Sequence, residues 1–428
     1  MKEYRIPYSA EKIPILLPEE QVDFTGELQK SEENLSWKIE LLDKLEHPTA
    51  GAALGSLLEK DQHIVILVED NTRHTPVRDI LPILCDYLTK NGCELEQLEI
   101  LVAPGTHRIL TEEELWDKLG NFAMTHLRVS QHDYRDETVL EQLEDVYIGE
   151  MKIPVFVNQI AVSADLLIGL GNIIPHPNAG YSGGAKILDP GCCGRTTVSA
   201  THTAAALMGY LPLGMEENAC RDSLERVAKA VGLDFIINVV LNEKNQVVDV
   251  VTGDFILAHR AGAKRAKEVF GVAVKNPVDI LISCSYPYDI DFWQCEKALI
   301  AGFFAVKQGG IIILPAPCLE GVVHNHDDLL DWTQMSTREA QKKIRLLANQ
   351  ETDQDLVAAG IALGALMVRD KADIYIYSTG LTQEEIGKLG YTGFSSLQEA
   401  VDAALAARPG GRIGILPRGG DCLPYLVK

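Results

Sequence analysis

HIVILVED, residues 63–70, is a β-branched apolar run ending in two carboxylates, and its reading decides the fold. An unalternating apolar run of this length, bounded by polar residues, is a strand buried on both faces, as in parallel sheets covered by helices. The pattern recurs as LEILVAPG (98–105), DLLIGLG (165–171), DILISCS (279–285), GGIIILPAPC (309–318), DIYIYST (373–379) and RIGILPRG (412–419). Helical patterns lie between these runs, as from Val77 to Lys90 and from Thr111 to Leu119, where Thr111 and Glu114 have capping-box spacing. Strand alternating with helix predicts an α/β chain. FILAHRAGAKRAKEVFGVAVKNP (255–277) reads as a long helix running into a Gly/Pro-punctuated connection, after which a new strand series begins. The expected division is therefore an N-terminal α/β domain over 1–275 and a C-terminal α/β domain over 276–428. Two Rossmann-like domains with parallel-rich sheets would flank an interdomain cleft, with ligand groups gathered beyond the carboxyl ends of the strands.

Composition narrows the partners. The 428 residues are 46% hydrophobic and 23% charged, which are globular averages. A net charge of -22 repels polyanions, so nucleic acid and anionic membrane are poor partners. The same field repels a small carboxylate at long range, so a substrate of that kind needs positive residues gathered in its pocket. Nine cysteines without a C-x-x-C pair or zinc-ribbon spacing fit reduced thiols, and Cys192 and Cys193 read as buried and inert. With no apolar run long enough for a spanning helix, the expected location is cytoplasmic.

Several polar groups follow the apolar strands directly. Asp70-Asn71-Thr72-Arg73 leaves the carboxyl end of the first run, where Arg73 could clamp a carboxylate with two parallel hydrogen bonds; the same residues serve equally as a helix entry. Thr106-His107-Arg108 follows the next strand, placing a histidine on the same rim for proton transfer, though a loop histidine is more often an ordinary surface residue. The densest stretch runs Gly169-Leu-Gly-Asn172, Pro175-His176-Pro177, then Gly180 to Lys186 with Gly183 and Gly184, then Thr201-His202-Thr203. A dinucleotide fingerprint fails at Ile174, and a P-loop fails because Ala185 separates Gly184 from Lys186. What remains is a lysine on a glycine-rich turn, suited to close approach of a bulky ligand and to covalent attachment, or simply a tight turn with a surface lysine. His202 stands among small residues, as a metal ligand or a hydrogen-bonded core histidine. Gln294 and Lys297 share a face if Trp293–Lys297 is a helical turn, and with Arg73 would supply the positive pocket.

Taken together, these stretches resemble the nickel-pincer-dependent lactate racemase family of 2-hydroxy acid racemases and epimerases. The resemblance runs in order and spacing from about residue 60 to 300, centred on PHPNAGYSGGAK and the following ATHT. It implies a pyridinium-3-thioamide-5-thiocarboxylic acid mononucleotide carrying nickel, covalently attached to Lys186 by a thioamide, with His202 completing the metal's ligands. It further implies His107 and His176 as acid/base residues on opposite faces of the substrate, and Arg73, Lys297, Gln294 and Asp70 around its carboxylate. The implied partners are a small 2-hydroxy carboxylate and cofactor-maturation proteins. One departure stands out. Relatives that act on lactate have a tryptophan soon after an Asp-Gln pair, whereas the matching stretch here reads Asp353-Gln354-Asp355-Leu356-Val357, which implies a different or roomier site. Trp293, Tyr288 and His74 are candidates for shaping that region. A hydroxy-acid dehydrogenase with a soluble cofactor and a non-catalytic carboxylate-binding protein are the competing classes; the failed glycine fingerprints weigh against the first.

Overall fold

A computed structural model describes residues 1–348 and 352–427. The first sheet has six strands in the order Val247–Gly253, Phe235–Leu241, Leu166–Asn172, Ile64–Val68, Leu98–Val102, Arg128–Gln131. All neighbours are parallel except Val247–Gly253 against Phe235–Leu241. That exception follows from chain length, because the short turn after Leu241 can close an antiparallel hairpin but cannot carry a crossover. Ile64–Val68 is buried at every residue, as its unbroken apolar run requires. The second sheet is wholly parallel, in the order Thr392–Phe394, Ala372–Tyr377, Val306–Pro315, Val278–Ser283, Ile413–Leu416, Val22–Thr25.

In the first sheet, and in the second from Val278 onward, the chain starts near the middle, builds outward on one side, then returns to the other. The first reversal lies between Ile64–Val68 and Leu166–Asn172, the second between Val278–Ser283 and Ile413–Leu416. Loops leaving such a point diverge and open a crevice beyond the strands' carboxyl ends. Helix Arg195–Ala206 of the first lobe packs on helix Leu356–Arg369 of the second, which sets the two crevices against one another.

The division at 275 needs a correction at its start. Strand Val22–Thr25 pairs with Ile413–Leu416, and the hairpin Lys2–Tyr8/Glu11–Leu17 buries Ile6, Ile15 and Leu17 against Ile280, Ile282, Ile313 and Leu397. The first 25 residues therefore complete the second lobe. Their short alternating runs carry no local mark of which sheet they join, and only long-range pairing decides it. Helix Leu257–Phe270 fills the expected position, and Gly271–Val274 then pairs with Leu423–Leu426 near the chain's end. The capping box forms as its spacing predicts: Glu114 N–H donates to Thr111 Oγ1 at 3.3 Å and Thr111 N–H to Glu114 Oε2 at 2.8 Å. All nine cysteines are buried and free, and burial holds the Cys192 and Cys193 thiols well above their usual range. Among the described residues no helix is long and apolar enough to cross a membrane.

Removing residues 1–25 would uncover strand Ile413–Leu416 as a bare edge together with the apolar face under the hairpin. The expected result is a lower urea midpoint and aggregation on refolding; a midpoint equal to that of the full chain would show that this segment adds nothing to the second lobe.

Candidate active site between the lobes

The loops at the two reversal points enclose a cavity of about 100 Å3 lined by Asp70, Arg73, His107, His176, Gly183, Lys186, His202, Gln294 and Lys297. All but the last two come from the first lobe. Gly184 sits just behind this wall, its N–H donating to Asn238 Oδ1 at 2.8 Å. Gly183 and Gly184 have φ of 72° and 59°, and a Cβ on Gly184 would stand 2.9 Å from the His259 ring. The glycines thus serve a left-handed backbone packed on buried side chains, which explains why no nucleotide fingerprint fits.

Asp70 caps nothing. Its Oδ2 pairs with His107 Nδ1 at 2.6 Å, and its Oδ1 accepts the Thr72 hydroxyl at 2.6 Å. Burial opposes its ionisation, but His107 and then Arg73 outweigh burial and hold the carboxyl well below the usual range. The carboxylate therefore fixes a proton at His107 Nδ1, so in the neutral ring Nε2 is the nitrogen with the lone pair. His176 is set the other way: its Nδ1 accepts from the Asn178 and Ala179 N–H groups at 3.3 and 3.4 Å, so in the neutral ring Nε2 carries the proton. Burial, then the charges of Lys186, Lys297 and Arg73, keeps His176 well below its ordinary pKa.

The cations are the unusual feature of this cavity. Arg73 Nη1 donates to Thr72 Oγ1 at 2.9 Å and Lys297 Nζ to Gln294 Oε1 at 2.6 Å, and Lys297 stands 4.0 Å over the Tyr288 ring. Among the described residues neither these two nor Lys186 makes a salt bridge with a carboxylate. Burial and mutual repulsion lower the Lys297 pKa well below its normal value and bring Lys186 down to about 8. Glu296, also on the wall, is pushed up to about 8 by burial, so it stays largely neutral at pH 7. His202 donates Nδ1–H to Val198 O at 2.9 Å, which leaves Nε2 unprotonated, and burial followed by the charge of Lys186 brings its pKa down to about 4. It is a neutral imidazole with a free lone pair, the form that binds a metal. No group of three His, Cys, Asp or Glu side chains fit to hold a metal ion occurs among the described residues.

Several supporting groups escaped the sequence reading. Arg221, fully buried, donates to the carbonyls of Ala179, Tyr181 and Gly183 and so holds the lysine turn. His259 Nε2 meets Ser182 O at 2.9 Å. Lys118 Nζ donates to Arg73 O at 2.7 Å, and Glu69 accepts the Thr75 hydroxyl and, at 3.1 Å, Asn172 N–H, tying the two rims together. Asp189 accepts from Thr201 at 3.3 Å through one oxygen while the other is unpartnered; burial lifts it to about 7. Lys118 and Arg221 lie in helices and belong to no motif. The Glu69-Asp70 pair at a strand's end was the one visible signal.

Fold and site together define a two-lobed α/β enzyme with a cationic, histidine-flanked interlobe cleft. Residues 8–209 match the model of the lactate racemase N-terminal domain and residues 273–419 that of the lactate racemase C-terminal domain. The chain is 29% identical over 428 residues to a lactate racemase of Thermoanaerobacterium thermosaccharolyticum, covering 98% of each. It is 31% identical over 340 residues to a lactate racemase of Lactiplantibacillus plantarum, covering 76% of this chain and 78% of that one. The solved lactate racemase apoprotein of T. thermosaccharolyticum superposes with a TM-score of 0.87 at 27% identity, covering 99% of this chain and 100% of that one. A Thermotoga maritima protein shares the fold alone, with a TM-score of 0.72 at 20% identity and coverage of 93% and 100%. The chain belongs to the lactate racemase family, and it is an isomerase.

Two outcomes follow from this geometry. With a pKa of about 8 in place of 10.5, Lys186 should react with an amine-directed acylating reagent half-maximally near pH 8, read by peptide mass; a midpoint near 10.5 would refute the desolvated site. Between those values the unfolded chain keeps this proton and the native chain has released it, so Lys186's share of stability rises with pH across that window. Arg221→Met should leave three buried carbonyls unpaired and lower unfolding stability by about 3 kcal/mol or more, measured in urea.

Proposed function

We propose that this chain inverts C2 of a small 2-hydroxy acid through a 2-oxo acid, with a nickel-pincer nucleotide tethered to Lys186. The observation that carries the reading is the cavity itself: buried cations without carboxylate partners, flanked by two imidazoles with opposite hydrogen-bonding states. Empty of an anion, such a cluster is unfavourable; a bound carboxylate relieves it, with Arg73 offering a bidentate fork and Lys297 a point charge. The local positive charge also answers the problem that a chain of net charge -22 poses to an anionic substrate.

The residues suit the cofactor. Lys186, its pKa brought down to about 8, offers a much larger unprotonated fraction near neutral pH than an ordinary lysine, as covalent attachment needs. His202 offers a lone pair at Nε2, and the absence of a ready-made ligand cluster among the described residues fits a metal whose other donors arrive with the nucleotide. When bound, that group supplies a hydride acceptor beside C2.

The chain's own part is binding and proton transfer. His107, its Nδ1 proton held by Asp70, takes the C2-hydroxyl proton of one enantiomer at Nε2, and the resulting imidazolium is stabilised by the carboxylate. His176 gives a proton from Nε2 to the carbonyl oxygen once the 2-oxo acid has turned its other face to the site. For this it must enter as the imidazolium, which a bound carboxylate favours by offsetting the charges of Lys186, Lys297 and Arg73 and which replaces the 3.3 and 3.4 Å contacts at Nδ1. It ends neutral while His107 ends as the imidazolium. The reverse direction exchanges the two roles. Two imidazoles are required because the hydroxyl occupies different positions in the two enantiomers.

Protein made together with its maturation partners should carry nickel and show, by intact mass, an adduct at Lys186 that is absent from Lys186→Ala. His107→Ala and His176→Ala should keep the adduct while interconversion of enantiomers falls about 10²–10⁴-fold. Turnover by protein whose Lys186 is unmodified would overturn the reading.

A further inference from the structure

Glu69, Asp70 and Glu296 bring carboxyl groups to the wall of the cationic cavity, and the first two are taken up by their neighbours. Glu69 accepts the Thr75 hydroxyl and Asn172 N–H, and Asp70 holds His107 and Thr72. Glu296 lies beside Lys297 in helix Phe292–Ala305 and is 2% exposed. Among the described residues its side chain makes no hydrogen bond and no salt bridge.

Space for this carboxyl is built into the facing helix. Gly364 stands in the interior of helix Leu356–Arg369, where glycine is less favourable than alanine, and a Cβ there would come 2.7 Å from Glu296 Oε1. The helix lacks a side chain at the point where the carboxyl sits.

The proton on this group decides what it can do. Ionised, it would be an acceptor alone and would offset the cations that draw an anion into the cavity; neutral, it has an O–H to donate and leaves those charges intact. Burial pushes it up to about 8 although Lys297 favours ionisation, so the acid form prevails at neutral pH. The Tyr391 hydroxyl, buried and without a partner among the described residues, is near enough to be affected by a charge on Glu296. Arg369, at the end of the facing helix, is bonded to the carbonyls of Thr333, Met335 and Leu389, and Arg73 and Lys186 stand on the cavity wall from the first lobe. A carboxylate has two oxygens and about four lone-pair directions, more than the Arg73 fork and one Lys297 N–H fill. Glu296, next to Lys297 on the same wall, supplies a further donor.

We infer that Glu296 is a substrate-binding residue that works as a neutral acid, donating its carboxyl O–H as a hydrogen bond to the bound carboxylate and keeping the proton. The inference rests on the proposed reading of the cavity and adds to it a donor that no motif marks. The test is calorimetric binding of racemic lactate and racemic 2-hydroxyhexanoate to the matured holoenzyme at pH 7 and pH 9, racemic acid being used so that no net reaction adds heat. Glu296→Gln keeps a donor of similar shape and cannot ionise, whereas Glu296→Leu removes the donor; each replaces a buried group that has no partner to lose. At pH 7 the Gln variant should bind within about threefold of wild type and the Leu variant about tenfold more weakly. At pH 9 the wild type, its Glu296 then about nine-tenths ionised, should have lost about tenfold relative to the Gln variant. The ratio to the Gln variant is the readout because Lys297 titrates as well. Equal binding by the Gln and Leu variants at pH 7, or a Gln-to-wild-type ratio that is the same at both pH values, overturns the inference, and the racemase reading stands if enantiomers are still interconverted. If no acid is inverted but binding follows the expected pattern, the racemase reading fails and the role of Glu296 holds. If the wild type binds neither acid, the carboxylate site and this inference fall together.

Discussion

The structure depends on holding Arg73, Lys186 and Lys297 together out of bulk water without carboxylates to neutralise them. Desolvation and mutual repulsion both oppose this, and they lower the Lys186 and Lys297 pKa values. The surrounding fold supplies the opposing constraint. Lys118 holds the backbone of Arg73, Arg221 clamps three carbonyls of the lysine turn, and Gln294 holds Lys297 from the second lobe. These supports are fully or nearly buried, so their bonds are exchanged poorly with water and the cations keep their positions.

The two histidines derive their difference from the backbone around them. His107 follows a strand's end and meets a carboxylate from the neighbouring strand's end, which is possible because adjacent parallel strands deliver their loops to one rim. His176 lies on a tight turn whose own N–H groups point at its Nδ1. In their neutral forms one ring is thereby an acceptor at Nε2 and the other a donor. A single carboxylate and two peptide groups are enough to make that distinction, without moving either ring.

Much of the site was legible in the sequence because parallel strands end abruptly in polar groups. Asp70, Arg73, His107 and the glycine-rich turn before Lys186 all follow apolar runs, and each stands on the cavity. The supports were not legible. Lys118 and Arg221 belong to no motif, and only packing against another segment buries them. Asp355 and His326 are 29 residues apart and carry no motif, yet they form a hydrogen-bonded pair because helix Leu356–Arg369 starts beside the loop that holds His326.

The sequence by itself determined the α/β class, seven of the twelve strands in the two six-stranded sheets, and the chemistry of the groups at their ends. These depend on runs of neighbouring residues, and local hydrophobic pattern governs them. Tertiary structure decided which sheet receives the first 25 residues, which carboxylate pairs with His107 and which cations go unpaired. All of these are contacts between residues far apart in the chain, and their energies come from burial and desolvation, which exist only once the lobes have closed on one another.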